Sequence, residues 1–400
     1  MKSVDEIPFV SFSVKVWKIM GFLYSPGFNI QRYFCLSINI VLNIFQFAYL
    51  CTEKKLDKLI LNGYFTVLYF NSIVSYFIIN NFQSNEIKIL FFNFCKIRVF
   101  VVLKNQKKFE NCIQKLTNLY NNIEMHGDDY TVNILQSIGS RAYKFSIINH
   151  CLAITTGTSF LIYPVFTKMA DLPYGLYIPG LNVTDRSTYY ALFAYEVLVT
   201  PPGASLYIPF SNLFISFLLF YIVLIRILRY HIDNIVQHEE DTEQDERIVM
   251  KKLKIAIRYH QNLITFVDEF NSLVTNVCFI ELIFFVMLLC ALLFVLNIVE
   301  LFPQICLSCL YIVLIMTQLY TVYWSANELT YESLKIHQTL YNCQWYNMSE
   351  KCKNLLIIFM IRASRPLEIS AGNIYPLTLQ MFQSLLNVSY SYFTVLRRIY

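Results

Sequence analysis

Long stretches without a charged residue recur along the chain and set its overall plan. Between consecutive Asp, Glu, Lys and Arg residues there are six uncharged runs of at least 20 residues, and about 20 apolar residues suffice for a helix to cross a bilayer. A seventh run is interrupted only by Glu281 and is otherwise too apolar for a soluble segment. The pattern predicts an all-α polytopic membrane protein, a single domain over 1–400, with seven transmembrane helices. The predicted spans are about 33–52, 59–82, 145–167, 203–225, 273–299, 304–325 and 373–396.

Lys and Arg residues are concentrated in alternate connecting segments. Of the 32 basic residues, 25 lie in 1–32 and in the segments 86–144, 226–272 and 328–368. Cytosolic segments of membrane proteins carry such an excess, so we predict a cytosolic N-terminus, an extracellular C-terminus and an extracellular loop at 168–196. This orientation is opposite to that of G-protein-coupled receptors and excludes that class.

The predicted outer loop carries a glycosylation sequence, Asn182-Val183-Thr184. Two further matches begin at Asn347 and Asn387, which fall on the cytosolic side and within the membrane. We therefore expect glycosylation at Asn182 alone. The first apolar run begins only after residue 32 and is long enough to span, so we expect no cleavable signal peptide.

Two of the predicted cytosolic segments carry apolar residues at helical spacing. The stripe in the first segment consists of Phe109, Ile113, Leu116, Tyr120 and Ile123. The stripe in the second consists of Val249, Leu253, Ile257, His260, Ile264 and Val267. We expect both helices to extend the membrane spans into the cytosol and to bury this face. The pattern leaves open whether the face packs within the subunit, against another subunit or on the lipid surface.

Composition narrows the class of protein further. The chain is 56% hydrophobic and only 15% charged, whereas soluble domains carry about 25% charged residues, so an ordinary soluble enzyme is excluded. The net charge of +5 is modest and spread over several loops, so we expect the chain to contact membrane lipid and not to bind nucleic acid. The eleven cysteines lack paired spacing, and no nucleophile, base and acid set appears. We expect no enzymatic activity, cofactor or metal site.

Two acidic features are candidate sites. The run at 239–246 indicates a solvated linker rather than a metal cluster, because like charges repel each other and no apolar residue fixes their geometry. Glu281 lies well inside a span, where a carboxylate is a functional candidate by default. It either pairs with a polar group on a neighbouring helix or faces a water-filled cavity.

Aromatic and small polar residues gather in the outer halves of the second, third and fourth spans. Such residues can line an apolar cavity with a few hydroxyl anchors, as a small, weakly polar ligand requires. The candidates are Tyr69, Phe70, Thr155, Gly157, Thr158, Phe160, Tyr207 and Phe210. The other interpretation is that they pack between helices or at the membrane interface, because aromatic residues make up 16% of the chain.

The last quarter of the chain resembles the insect odorant receptors. The residues that carry the resemblance are Gln318, Leu319, Tyr320, Asn327, Glu328, Ser333, Tyr341, Trp345, Tyr346, Arg362, Pro366, Gly372 and the segment from Tyr390 to Leu396. Weaker matches extend it to the segment from Met20 to Pro26 and to Leu172, Pro173 and Tyr177 to Pro179. The inverted seven-helix topology agrees with that family.

The resemblance implies the odorant-sensing subunit of a ligand-gated, non-selective cation channel in the plasma membrane of olfactory sensory neurons. It further implies a heterotetramer with the odorant receptor co-receptor, a cytosolic helical anchor region, and a pocket for a volatile odorant in the outer halves of spans two, three, four and six. Gly157 is the best match in that pocket. The alternatives are a gustatory-type chemoreceptor channel of the same superfamily and, more distantly, a membrane transporter.

The resemblance also places the pore along the last helix. Val395 corresponds to the hydrophobic gate, and Ser391, Arg398 and Ile399 are further pore positions. A ring of apolar side chains blocks ions by dewetting. Arg398 is a departure, because a positive charge at the exit of a cation pore is expected to lower conductance.

Overall fold

The chain folds as a bundle of long helices. The computed structural model describes residues 2–24, 30–52, 105–166, 172–174, 176–181, 185–235, 243–298 and 302–399. Within these residues the α-helices are α1 (Ser11–Ile19), α2 (Ile30–Thr52), α3 (Gln106–His126), α4 (Asp129–Phe166), α5 (Arg186–Asp233), α6 (Glu243–Ile298), α7 (Phe302–Asn342), α8 (Glu350–Ala363) and α9 (Leu379–Ile399). An antiparallel pair of short strands, β1 (Ser370–Ala371) and β2 (Tyr375–Pro376), precedes α9, and 3-10 turns form at Val4–Glu6 and Trp345–Asn347.

Four helices in the described part of the chain are long and apolar enough to cross a membrane. They run over Asp129–Ile162, Arg186–Asp233, Glu246–Phe294 and Ile305–Asn342. The third to sixth predicted spans fall on these helices, and the first coincides with α2. The second predicted span lies outside the described residues.

The seventh predicted span corresponds to α9, but the helix begins later than the sequence suggests. Its first residue is Leu379 rather than residue 373. The chain before it turns back on itself, because Gly372 and Asn373 adopt the left-handed conformation, with φ of 64° and 57°. Uncharged composition alone does not distinguish such a turn from the start of a helix.

The spans continue without a break into the predicted cytosolic segments. The helix α6 has 56 residues, so it is about 84 Å long at 1.5 Å per residue. The hydrocarbon core of a bilayer is only about 30 Å thick. A helix of this length that crosses a bilayer projects well beyond it at one end.

The projecting ends pack into a large apolar core, here called the inner cluster. It joins the N-terminal segment, α3 and parts of α5, α6, α7 and α8. The ring of Phe9 packs within it, 5.3 Å from the ring of Phe220 and 6.4 Å from that of Tyr120. On the two predicted stripes, the fully buried residues are Phe109, Ile113, Leu116, Tyr120, Val249, Leu253, His260 and Val267. Both stripes are thus buried within the chain itself.

A charged node, formed by Glu332 with three basic residues, ties α5 to α7 beside the inner cluster. The Glu332 side chain is only 4% exposed. Its carboxylate accepts hydrogen bonds from Arg226 Nη2 at 3.0 Å, from Arg229 Nη1 at 2.9 Å and from Lys335 Nζ at 3.1 Å. Charge-assisted bonds of this kind are stronger than neutral ones and fix geometry. The node therefore sets the position of α7 relative to α5.

Candidate ligand pocket and pore helix

A second apolar core, here called the outer cluster, lies at the opposite end of the bundle, on the side predicted to be extracellular. The helices α2, α4, α5, α6 and α7 contribute to it, together with a loop segment between α4 and α5. Its buried members are Leu42, Phe160, Leu172, Tyr174, Leu176, Tyr189, Leu192, Val199, Leu289, Leu292, Tyr311, Leu314 and Ile315.

Tyr174 inserts from this loop between α4 and α5. The residue is 1% exposed. Its hydroxyl oxygen lies 3.0 Å from Thr200 Oγ1 and 3.4 Å from the Gly157 carbonyl oxygen, and Thr200 donates onward to the Glu196 carbonyl at 2.7 Å. The loop thus brings a pair of hydroxyls into an apolar region. A few fixed polar groups on apolar walls are what a pocket needs to orient a small ligand.

Gly157 allows α4 and α5 to approach each other closely at this point. A Cβ atom at Gly157 would come within 2.9 Å of Thr200 Cγ2. This is closer than a carbon contact permits, so any larger residue would push Thr200 away from Tyr174. The small residue is therefore required by the contact between the two helices.

Two fully buried polar side chains accompany the hydroxyl pair. Glu196 is 0% exposed, and the Tyr174 backbone is the polar group beside its carboxylate. The amide of Gln46 on α2 is likewise buried and meets no partner among the described residues. Sequence reasoning misses both, because Glu196 only marks the boundary of an uncharged run and Gln46 is a single polar residue within another.

Two of the pocket candidates from the sequence lie at the outer cluster. Gly157 contacts Thr200, and the ring centroid of Phe160 lies 6.3 Å from that of Tyr311 on α7. Thr155 and Thr158, by contrast, are exposed in this chain, and their hydroxyls donate to carbonyl oxygens of their own helix.

Phe210 lies in the inner cluster rather than the outer one. Its ring centroid is 6.5 Å from that of Trp17 and 6.3 Å from that of Phe109. Tyr207 belongs to α5, but its side chain is outside the description, and the remaining candidates lie outside the described residues. These are Tyr69, Phe70 and the glycosylation candidate Asn182.

The helix α9 carries the pore positions that the resemblance implies. Ser391, Val395 and Arg398 are all exposed in the single chain, and Val395 is 55% exposed. The Ser391 hydroxyl donates to the Asn387 carbonyl of the same helix at 2.8 Å. Ile399 is the last residue of α9. An exposed valine on a membrane helix requires lipid, another subunit or a pore beside it.

Glu281 lines a small, partly open cavity between α5, α6 and α7, next to the start of α9. The other polar groups of the lining come from Ser211, Gln318 and Tyr323. The space holds about two water molecules. The structure thus places this carboxylate at a polar cavity within the bundle. Among the described residues, no group of three or more His, Cys, Asp and Glu can hold a metal ion.

Comparison with solved structures defines the class of protein. The structure of the insect olfactory receptor OR5 from Machilis hrabei in complex with eugenol superimposes on this chain with a TM-score of 0.77 at 13% identity. The superposition covers 99% of this chain and 100% of the OR5 chain. The structure of OR5 alone gives a TM-score of 0.76. The fold is therefore that of a helical, seven-span membrane protein, and the prediction of an all-α polytopic protein is confirmed.

Sequence comparison identifies the family. The family model described as 7tm Odorant receptor matches residues 78–390. Odorant receptor 10 of Aedes albopictus is 35% identical over all of both chains, and Odorant receptor Or2 of Anopheles gambiae is 35% identical over 99% of each. Odorant receptor 30a of Drosophila melanogaster is 30% identical over 100% of this chain and 99% of its own. The chain belongs to the insect odorant receptor family.

Membership has direct consequences. The resemblance seen in the last quarter of the chain is confirmed and extends over its whole length. The protein is a multi-pass membrane receptor that binds chemosensory ligands, and the family is one of receptors rather than enzymes.

Proposed function

We propose that the chain is the odorant-sensing subunit of a ligand-gated, non-selective cation channel. In this proposal it assembles with the odorant receptor co-receptor as a heterotetramer in the plasma membrane of olfactory sensory neurons. The observation that carries the proposal is that the chain has two distinct features. The outer cluster holds polar side chains within apolar walls, and a different helix, α9, carries Val395 at an exposed position.

The proposed odorant pocket is built around the Tyr174 and Thr200 hydroxyls. Gly157, Phe160 and Tyr311 supply its apolar walls, and Tyr69, Phe70 and Tyr207 remain expected members. The volatile ligand is small and weakly polar, since the walls are apolar and the fixed hydroxyls are few. Thr155 and Thr158 face outward and Phe210 lies in the inner cluster, so these three residues are left out of the pocket.

The proposed pore is lined by α9 from each subunit. Val395 forms the apolar ring that excludes ions by dewetting in the closed state, so a small widening lets water and cations through. Ser391 lies about one turn away on the same side, and Arg398 and Ile399 lie at the outer end. The Arg398 charge opposes cation exit, and this effect is diluted where the partner subunits lack such a charge.

The test is current recording in oocytes that express the chain alone, the co-receptor alone or both together. A panel of volatiles is applied, and surface expression is measured in parallel through an epitope tag. The proposal predicts fast, odorant-evoked cation current that requires this chain. Surface expression of both subunits without any odorant-evoked current would contradict it, and current evoked by tastants from the chain alone would favour the gustatory alternative.

A further inference from the structure

The segment between α8 and α9 is held as a defined hairpin. Ser370 pairs with Pro376, and Ala371 with Tyr375. Its tip consists of Gly372, Asn373 and Ile374, of which the first two are left-handed. The hairpin ends three residues before the proposed pore helix begins, so its position determines where α9 starts.

One face of α6 forms hydrogen bonds with the hairpin. Asn271 and Thr275 lie four residues apart, so they occupy neighbouring turns on the same side of the helix. The Ser370 N–H donates to Asn271 Oδ1 at 3.0 Å, and Asn271 Nδ2 donates to Ser370 Oγ at 3.3 Å. The Asn373 N–H donates to Thr275 Oγ1 at 3.0 Å. The Gly372 N–H donates to the Thr275 carbonyl at 2.9 Å. The first strand and the tip of the hairpin are therefore fastened to α6.

The next turn of α6 adds a packing contact to these hydrogen bonds. Phe279 covers Gly372 so closely that a Cβ atom there would lie 2.9 Å from the ring. Glycine is thus required at this position for two reasons, its positive φ and the proximity of the ring. The hairpin tip has no room to slide along α6 without disturbing Phe279.

The helix α7 holds the two ends of the same segment. The Leu367 N–H donates to Ser333 Oγ at 2.9 Å, and Thr330 Oγ1 donates to the Leu367 carbonyl at 3.3 Å. At the other end, the N–H of Leu379 donates to Asn327 Oδ1 at 3.4 Å. The first turn of α9 is therefore attached to α7 directly and to α6 through the hairpin.

The helix α6 also reaches the outer cluster. Leu289 and Leu292 are buried there, among the residues that surround Tyr174. Seventeen residues of continuous helix separate Leu292 from Thr275, a distance of about 25 Å. A continuous helix transmits a displacement of one end to the other, so a shift of α6 at the outer cluster moves the hairpin.

We propose that the α6 clamp, formed by Asn271, Thr275 and Phe279 on the β1–β2 hairpin, couples ligand binding to movement of the pore helix. These are positioning residues, since they contact neither the proposed pocket nor the pore. The inference rests on the proposed function and adds the route between its two sites. Opening then carries the hairpin along with α6, and the clamp stays closed throughout.

The test compares Thr275→Val, Thr275→Ser and Thr265→Val in oocytes with the co-receptor. Valine keeps the shape of Thr275 but removes the hydroxyl that Asn373 contacts, whereas serine retains it. Thr265 is an exposed threonine on the same helix whose hydroxyl donates to the Gln261 carbonyl of that helix, so it is the matched control. We expect Thr275→Val to reduce maximal odorant-evoked current and to raise the half-maximal concentration about tenfold. Serine and the control should behave as wild type.

A second pair of variants tests the packing contact independently. Gly372→Ala and Gly180→Ala place the same methyl group at a positive φ. Among the described residues, the new methyl group at Gly372 meets Phe279, whereas the one at Gly180 meets no atom within 4 Å. If the clamp couples the two sites, odorant-evoked current is lost in Gly372→Ala and retained in Gly180→Ala. Odorant binding to purified complex, measured by thermal shift, should stay unchanged in both.

The outcomes separate the two proposals. If the wild type conducts, and Thr275→Val and Gly372→Ala reach the cell surface and respond to odorant as the wild type does, the coupling role is overturned and the channel function stands. Loss of odorant binding in these variants would also overturn the coupling role, because the clamp would then shape the pocket. Absence of wild-type current would overturn both.

Discussion

Single residues set how the helices pack at the inner cluster, and Glu332 is the clearest case. Three cations converge on its buried carboxylate, and it lies on the face of α7 that meets α5. The sequence shows Glu332 only as one charge among several in a basic segment. Which charge is buried depends on how α7 packs, and this cannot be read from spacing.

Glu332→Gln is expected to destabilise the protein. The substitution removes the buried charge that Arg226, Arg229 and Lys335 share, while Arg226 Nη2 keeps Glu328 Oε1 at 3.6 Å. The loss of stability is therefore expected to be smaller than the roughly 3 to 5 kcal/mol of a fully broken buried pair. Thermal unfolding of detergent-solubilised protein measures the change. Glu350→Gln is the matched control, because the Glu350 side chain is 83% exposed in its pair with Lys353, and exposed pairs contribute at most about 1 kcal/mol. Equal effects of the two variants would show that the node is not buried in the folded protein.

His260 makes stability depend on pH. It lies on α6 well before the predicted span at 273–299, buried against Phe359. Burial, assisted by the nearby Arg362 charge, lowers its pKa from 6.5 to about 4. The unfolded chain therefore binds a proton between these pH values and the folded chain does not. Stability from this group is complete above pH 6.5 and is lost as the pH falls towards 4.

His260→Phe should remove this pH dependence while keeping the packing against Phe359. Melting temperatures are recorded between pH 7.5 and pH 4.5. As the pH falls through this range, the melting temperature of the wild type should drop relative to that of the variant, because the wild type loses on the order of 3 kcal/mol of stability. Identical pH profiles for the two proteins would contradict the burial of a neutral imidazole.

At the level of elements, the contact between α4 and α5 in the proposed pocket leaves no free space for a side chain at Gly157. The sequence pattern groups Gly157, Phe160 and Phe210 as pocket candidates, and the structure places Gly157 and Phe160 at the outer cluster but Phe210 in the inner cluster. Phe210 instead meets Trp17 and Phe109, which are distant in sequence. The helix α5 is uncharged over a long stretch, and such a run does not show where the outer half ends and the inner cluster begins.

Gly157→Ala is expected to weaken the response to odorant. The new methyl group would displace Thr200 and disturb its contact with Tyr174. Overpacking of this kind costs about 1 to 3 kcal/mol, so the half-maximal odorant concentration should rise about tenfold. Concentration–response curves with the co-receptor measure the shift. Ile162→Ala, at an exposed position of α4, is the control, and an equal shift there would show that Gly157 does not act through the helix contact.

At the scale of the whole molecule, hydrophobic runs and basic residues predict the multi-pass plan, the stripes of α3 and α6 and the extension of helices into the cytosol. They do not predict the β1–β2 hairpin, because its strands have two residues each and show no alternation. They also do not reveal that Asn271 and Thr275 face it. These contacts link residues about a hundred positions apart and arise only when the helices are assembled.

In the proposed channel the ligand site lies at the outer cluster, α9 lines the pore, and α6 contacts both the outer cluster and the hairpin that precedes α9. Odorant binding is proposed to open a hydrophobic gate at Val395. A polar side chain at the gate would hold water in the closed pore and let ions pass without a ligand.

The most direct measurement is therefore the basal current of Val395→Asn with the co-receptor, in the absence of odorant. Tyr390→Asn is the control, because Tyr390 is also exposed on α9 but lies on a different face at about 100° per residue. The account predicts a standing cation current in Val395→Asn alone. A normally expressed Val395→Asn that stays closed without odorant, or an equal standing current in Tyr390→Asn, would contradict it.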